Sequence, residues 1–179
     1  MKKIVHIYLS TILLICSCNS QNDYASSNIP SSGKVIAIVD GDTYDILLDD
    51  DRTIRIRMEG IDAPEKGMPF YRVAKDYLGD LCFKKRIRLE ITGKDNHDRT
   101  LAFSYRDDGI ELSHQMIKAG LAWHFKKYSK DSTLSNLEIE AKNLKRGLWI
   151  DDNPMQPWRN RKLHKEGIST KDSFNFDKP

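Results

Sequence analysis

Residues 52–59 alternate strictly, with Ile54, Ile56 and Met58 on one side of an extended chain and Arg55 and Arg57 on the other. A helix cannot hold that period, so the segment must be a strand with one apolar and one cationic face. Residues 86–91 repeat the device: Ile87, Leu89 and Ile91 alternate with Arg86, Arg88 and Glu90. Between the two strands, Phe70, Val73, Ala74, Tyr77, Leu78, Leu81 and Cys82 recur at helical spacing. That is the single stripe of an amphipathic helix. A chain that switches period in this order must pack a helix onto a curved or folded sheet.

The remaining elements fit the same scheme. Residues 34–40 and 43–48 are β-branched and apolar around Gly41, and Asp49-Asp50-Asp51 supplies the turn into the alternating strand. Residues 101–105 form a fifth strand, closed by Asp107-Asp108-Gly109. Leu112, Met116 and Ala119 predict a short helix stopped by Gly120. Leu134, Leu137, Ala141, Leu144 and Leu148 predict another, with Gly147 near its end. Three strands, a helix, two strands and two helices predict an α+β chain: a small antiparallel five-stranded barrel with three helices, in OB-fold order.

The ends read differently. Lys2 and Lys3 precede an apolar run over residues 4–15, the form of a secretory signal and too short to span a bilayer comfortably. The run closes on Ile15-Cys16-Ser17-Cys18, which resembles the lipobox of bacterial lipoproteins. Small Ser17 makes Cys18 the better acceptor, so residues 1–17 are expected to be a lipoprotein signal peptide. Ordinary secretory cleavage elsewhere, or an uncleaved anchor, stays open. Loss of Lys2 and Lys3 takes the formal charge from +3 to +1. Residues 18–33 then form a lipidated Cys and a Ser/Asn-rich flexible tether. The folded domain is expected over 34–158, and 159–179, which lack an apolar stripe, as a mobile tail. The expected localisation is extracytoplasmic and membrane-anchored. Hydrophobic residues at 39% and charged residues at 31% suit such a domain and exclude a multi-spanning membrane protein. Three cysteines exclude a disulfide framework; Cys82, on the helical stripe, is expected to be a buried free thiol.

Four short segments carry chemistry. Asp40-Gly41-Asp42-Thr43 sets two carboxylates around a glycine, a turn signal that also suits a hard cation. In Arg57-Met58-Glu59-Gly60-Ile61-Asp62-Ala63-Pro64-Glu65, Pro64 keeps Ala63 extended and fixes how Asp62 and Glu65 are presented. Asp95-Asn96-His97-Asp98-Arg99-Thr100 is a loop that delivers an arginine to the fifth strand. Gly120-Leu121-Ala122-Trp123, with Phe125 and Tyr128, is either core or a base-stacking surface.

In combination these segments resemble the staphylococcal nuclease (thermonuclease) family over roughly residues 34–150. The resemblance implies a staphylococcal nuclease-like OB-fold. It also implies that Asp42 and Asp62 are calcium-binding carboxylates and that Ala63 offers its backbone carbonyl to the metal. Arg57 and Arg99 would grip the scissile phosphate, Glu65 would stand beside the attacking water, and Asp40 would be a nearby supporting acid. Trp149 matches the family's final tryptophan. The family's Lys-Tyr pair is replaced by Asn96-His97 and the following glycine by Asp98, which removes positive charge where a second phosphate would sit.

The implied chemistry is physically coherent. Phosphodiester hydrolysis adds negative charge to an anion, and preorganised guanidiniums with a divalent cation stabilise it. Arginine suits the task because its fork is bidentate and always charged. The expectation is therefore a calcium-dependent, sequence-nonspecific endonuclease on DNA and RNA, monomeric, leaving 3′-phosphate ends. The alternative is a non-catalytic nucleic-acid-binding lipoprotein on the same fold. A mature charge of +1 means that binding must come from where Arg55, Arg57, Arg86, Arg88 and Arg99 stand, since bulk charge supplies little.

Overall fold

The computed structural model describes residues 31–170. The expected signal segment, Cys16, Cys18, most of the expected tether and residues 171–179 lie outside the described residues. Over the described residues the fold is a closed barrel of five strands with two further short strands and four α-helices. Strands β1 (Ser32–Ile38), β2 (Thr43–Leu48) and β3 (Thr53–Met58) form an antiparallel meander. Helix α1 (Tyr71–Cys82) follows a two-residue strand β4 (Ile61–Asp62). Strands β5 (Arg86–Lys94) and β6 (Thr100–Arg106) complete the barrel, whose order is β1-β2-β3-β6-β5.

The barrel differs from the expected antiparallel one at a single seam. Strand β3 pairs with β6 in parallel, with Arg57 opposite Leu101 and Ile56 opposite Thr100. An odd number of strands in a closed ring cannot alternate direction at every seam, so with the other four pairings antiparallel this one must be parallel. Period-two alternation reports faces and is silent on strand direction, so the sequence pattern holds for either.

Inside the barrel, Val35, Tyr44, Ile46, Ile56, Met58, Ile87, Leu89 and Ala102 meet Ala74, Leu78 and Cys82 of α1. The helical stripe is right in period and two residues too generous. Val73 is half exposed, and Phe70 sits before the helix in a left-handed conformation. Cys82 is a buried free thiol whose Sγ–H donates to the Leu78 carbonyl; burial pushes it up to about 12.

Helices α2 (Leu112–Lys118) and α3 (Ser132–Asn143) pack at the barrel's end. Asp131 caps α3 by accepting from the Thr133 and Leu134 amides. Leu148 falls beyond α3, in a 3₁₀ turn at Gly147–Ile150. There Gly120 (φ +70°) and Gly147 (φ +53°) lie against each other, and the Leu148 amide donates to the Gly120 carbonyl at 2.8 Å. A Cβ on Gly120 would overlap the Arg146 carbonyl. Only glycine satisfies both the left-handed backbone and that approach.

The expected mobile tail needs correction. Residues Pro157–Lys165 form helix α4, begun by proline at its first turn. Its apolar residues are too few for a stripe, so it docks by one aromatic. Trp158 stacks on Phe125 at 5.2 Å and meets Trp123 edge-on at 6.5 Å. Asn160 and Thr170 are buried and hydrogen-bonded to each other, and His164 reaches the same threonine. The domain therefore extends past residue 158.

Candidate active site

Two turns and one strand end build the site. Gly41 lets the β1–β2 turn lie against Ala63 and α1, since a Cβ there would stand 2.8 Å from the Ala63 and Ala74 methyls. Asp42 is thereby brought to the Ala63 amide, which donates to its Oδ2 at 2.6 Å. Its Oδ1 accepts from the Thr43 hydroxyl. Asp62 is fixed by the short β4–β7 pairing, opposite Trp123 of β7 (Trp123–His124). A turn in which the Met68 amide donates to the Glu65 carbonyl at 2.8 Å presents Glu65.

Arg57 joins the two aspartates. Its Nη2 lies 2.9 Å from Asp62 Oδ1 and 3.2 Å from Asp42 Oδ2, and its Nη1 donates to the Met58 carbonyl. The strand pattern placed Arg57 on the polar face, and it does point away from the barrel core. It is nevertheless buried, because the segment carrying Asp62 folds over it. The two carboxylates share one nitrogen and are themselves buried, so their oxygens converge. Burial raises Asp62 above the usual carboxylate range, against the pull of Arg161 and Arg57. Burial and the neighbouring Asp42 charge push Asp40 up to about 7.

Glu65 and Arg99 line the same cleft, of about 720 Å³, together with Asp42, Arg57, Asp62 and Ala63. The Arg99 guanidinium is bound to Asp95, with Nε donating to Oδ2 at 2.7 Å. Arg55 and Arg86 pair with Asp45 and Asp49 on the outer surface, away from the cleft. Tyr128, largely exposed, lines the cleft beside Phe125, whereas Trp123 belongs to the core. Asn96 and His97 form the cleft's other rim.

The sequence reading missed one residue of the site. Arg161 of α4 reaches across 99 positions in the chain to Asp62, with Nη2 to Oδ2 at 2.6 Å, and its Nη1 donates to Glu65 Oε1 at 2.5 Å. Its signal in the sequence was faint: Pro157 as a helix opener and Trp158 as an anchor within a basic stretch.

The donor set suits a hard divalent cation. Asp42 and Asp62 are convergent buried carboxylates, and Ala63 is beside both. Among the described residues no group of three or more His, Cys, Asp or Glu side chains is placed so as to hold a metal ion by itself, so the remaining ligands would be backbone, water or substrate oxygens.

The family profile described as staphylococcal nuclease homologue matches residues 55–151, more than half of the chain. The chain belongs to the staphylococcal nuclease family. It is 38% identical over 156 residues to an uncharacterized endonuclease of Haemophilus influenzae, covering 86% of this chain and 84% of that protein. It is 34% identical over 147 residues to a micrococcal nuclease of Shigella flexneri, covering 76% and 84% respectively. A staphylococcal-like nuclease of rice, described as probable, is 34% identical over 115 residues, 64% of this chain and 34% of that protein. Helix α4 and Arg161 lie outside the span matched by the family profile.

Proposed function

We propose that the chain is a calcium-dependent endonuclease that hydrolyses phosphodiester bonds of DNA and RNA with little sequence preference, leaving 3′-phosphate ends. Membership of a nuclease family makes it a hydrolase of nucleic acid. The observation that carries the finer reading is the convergence of Asp42 and Asp62 on Arg57, with Glu65 and Arg99 on the walls of the same cleft. Asp42, Asp62 and the Ala63 carbonyl would hold the cation, which supplies charge stabilisation for the scissile phosphate. Arg57 is anchored through Met58 and both aspartates, so it meets the phosphate without reorganising. Arg99 must exchange Asp95 for the phosphate, a swap of one charge-assisted bond for another. Glu65 orients the attacking water and takes its proton. Tyr128 offers an exposed ring on which an unpaired base can stack.

A zymogram on single-stranded DNA and on RNA, run with calcium and then with chelator, tests the activity. Clearing with calcium alone is expected, and no clearing with calcium overturns the reading. Products should become primers for a polymerase only after phosphatase treatment.

We further propose that lipid on Cys18 holds the domain outside the cytoplasm, on the tether formed by residues 18–33. The motif Ile15-Cys16-Ser17-Cys18 supports this. Cys18→Ala is expected to move the protein from the membrane to the soluble fraction. Retention of the variant in the membrane would argue against lipidation.

A further inference from the structure

We propose that Arg161 is a resident counter-ion of the candidate metal site, and that a divalent cation binds by displacing its guanidinium from Asp62. The inference rests on the metal reading of Asp42 and Asp62. In the structure both Asp62 oxygens are taken by guanidiniums: Oδ1 by Arg57 at 2.9 Å, with Arg161 Nη1 at 3.3 Å, and Oδ2 by Arg161 Nη2 at 2.6 Å. A cation that needs an Asp62 oxygen therefore meets a competitor of the same sign. Arg57 cannot be the one that yields. It is buried, it is tied to the Met58 carbonyl, and it serves Asp42 as well. Arg161 is more than one-third exposed at its side chain, and among the described residues its guanidinium pairs with Asp62 and Glu65 alone.

Charge makes the same distinction. Two guanidiniums serve three carboxylates here: Arg57 pairs with Asp42 and Asp62, and Arg161 pairs with Asp62 and Glu65. Without Arg161 the buried Asp62 would keep only Arg57, which it shares. With it, Asp62 and Glu65 are each paired and in place before a metal arrives, a state that costs less than bare buried anions. Arrival of a doubly charged cation makes the second guanidinium superfluous. The side chain can leave while α4 stays, because the helix is held to the barrel side by Trp158, which stacks on Phe125 and meets Trp123 edge-on, and neither contact involves Arg161. Arg161 is thus a positioning residue that sets the affinity for metal.

Calcium binding to the full chain, measured by titration calorimetry, and melting temperature, with and without calcium, test this on wild type, Arg161→Ala and Arg161→Met. Both variants are expected to bind calcium at least tenfold more tightly than wild type. Both should also melt lower in chelator and gain more from calcium. Arg161→Met keeps the aliphatic stem, so it separates lost charge from lost packing should the alanine variant fold poorly. Calcium binding of equal or weaker affinity in a folded variant overturns the inference and leaves the metal reading standing. If neither wild type nor a folded variant binds calcium, the metal reading falls and the inference with it.

Discussion

The Ala63 amide donates to Asp42 Oδ2 at 2.6 Å, joining a turn of the first hairpin to a loop 21 residues later. The contact orients one carboxylate and fixes the residue whose carbonyl would face the metal. Asp42→Asn keeps an acceptor for that amide and removes the charge. We expect calcium affinity and hydrolysis to fall by roughly 10²-fold or more, with the melting temperature in chelator unchanged or higher. Calorimetry and an assay on labelled DNA check this. Full activity in the variant would remove Asp42 from the site.

Arg57 and Arg99 should separate by stability. Arg57→Met leaves two buried carboxylates short of a counter-charge, which costs on the order of 3 kcal/mol in urea unfolding. Arg99 is bound to Asp95 at a partly exposed loop, so Arg99→Ala should cost about 1 kcal/mol or less. Both should lower the rate by at least about 10²-fold. A fully active Arg99→Ala would show that its place on the cleft wall is incidental.

Glu65→Gln preserves the side chain's shape and removes the base. Its rate should drop about 10²–10⁴-fold, while calcium binding stays within a small factor of wild type. Loss of metal binding in this variant would instead make Glu65 a ligand.

Glu138 provides a pH test away from the cleft. Burial would raise its carboxyl, but hydrogen bonds from Lys126 and Lys142 outweigh that and hold it below the usual range. It also accepts from the His124 amide at 3.1 Å, at the strand that pairs with Asp62. A lowered folded value means that the contribution is whole above the ordinary carboxylate range and lost as pH falls through the folded value. Glu138→Gln should therefore cost about 2 kcal/mol at pH 7 and progressively less on acidification. Urea midpoints from neutral pH to about pH 3 measure it; a constant difference would contradict the ion-pair account.

Gly120→Ala must overcome both a left-handed backbone and the Arg146 carbonyl, and should cost about 3 kcal/mol or more by thermal melting. A variant as stable as wild type would show that the turn can relax.

Much of the fold was legible because alternation and helical spacing report which face of an element is buried. Ile56, Met58, Ile87 and Leu89 are in the core as their period requires. The β3–β6 direction was not legible, since a strand's faces are the same whichever way its neighbour runs. The candidate residues in 40–65 and 95–99, which line one cleft, were legible as a group because local turns carry them. Arg161 was not: it acts 99 residues from its partner, and a helix docked through Trp158 leaves almost no periodic trace. Arg57 showed a further limit, for its burial comes from the loop above it, which strand alternation does not encode.

The parallel seam between β3 and β6 has a bearing on safety for the cell that makes the chain. Arg57 stands in one strand of that seam and Arg99 immediately before the other. Pairings so far apart in sequence form late, because loop closure must precede any reward from contact. A chain whose barrel is still open has the two arginines proposed to grip the phosphate on separate pieces of unfolded polymer. On the proposed assignment, a nucleolytic centre assembled from both sides of the closing seam would spare its maker's own nucleic acids until folding is complete.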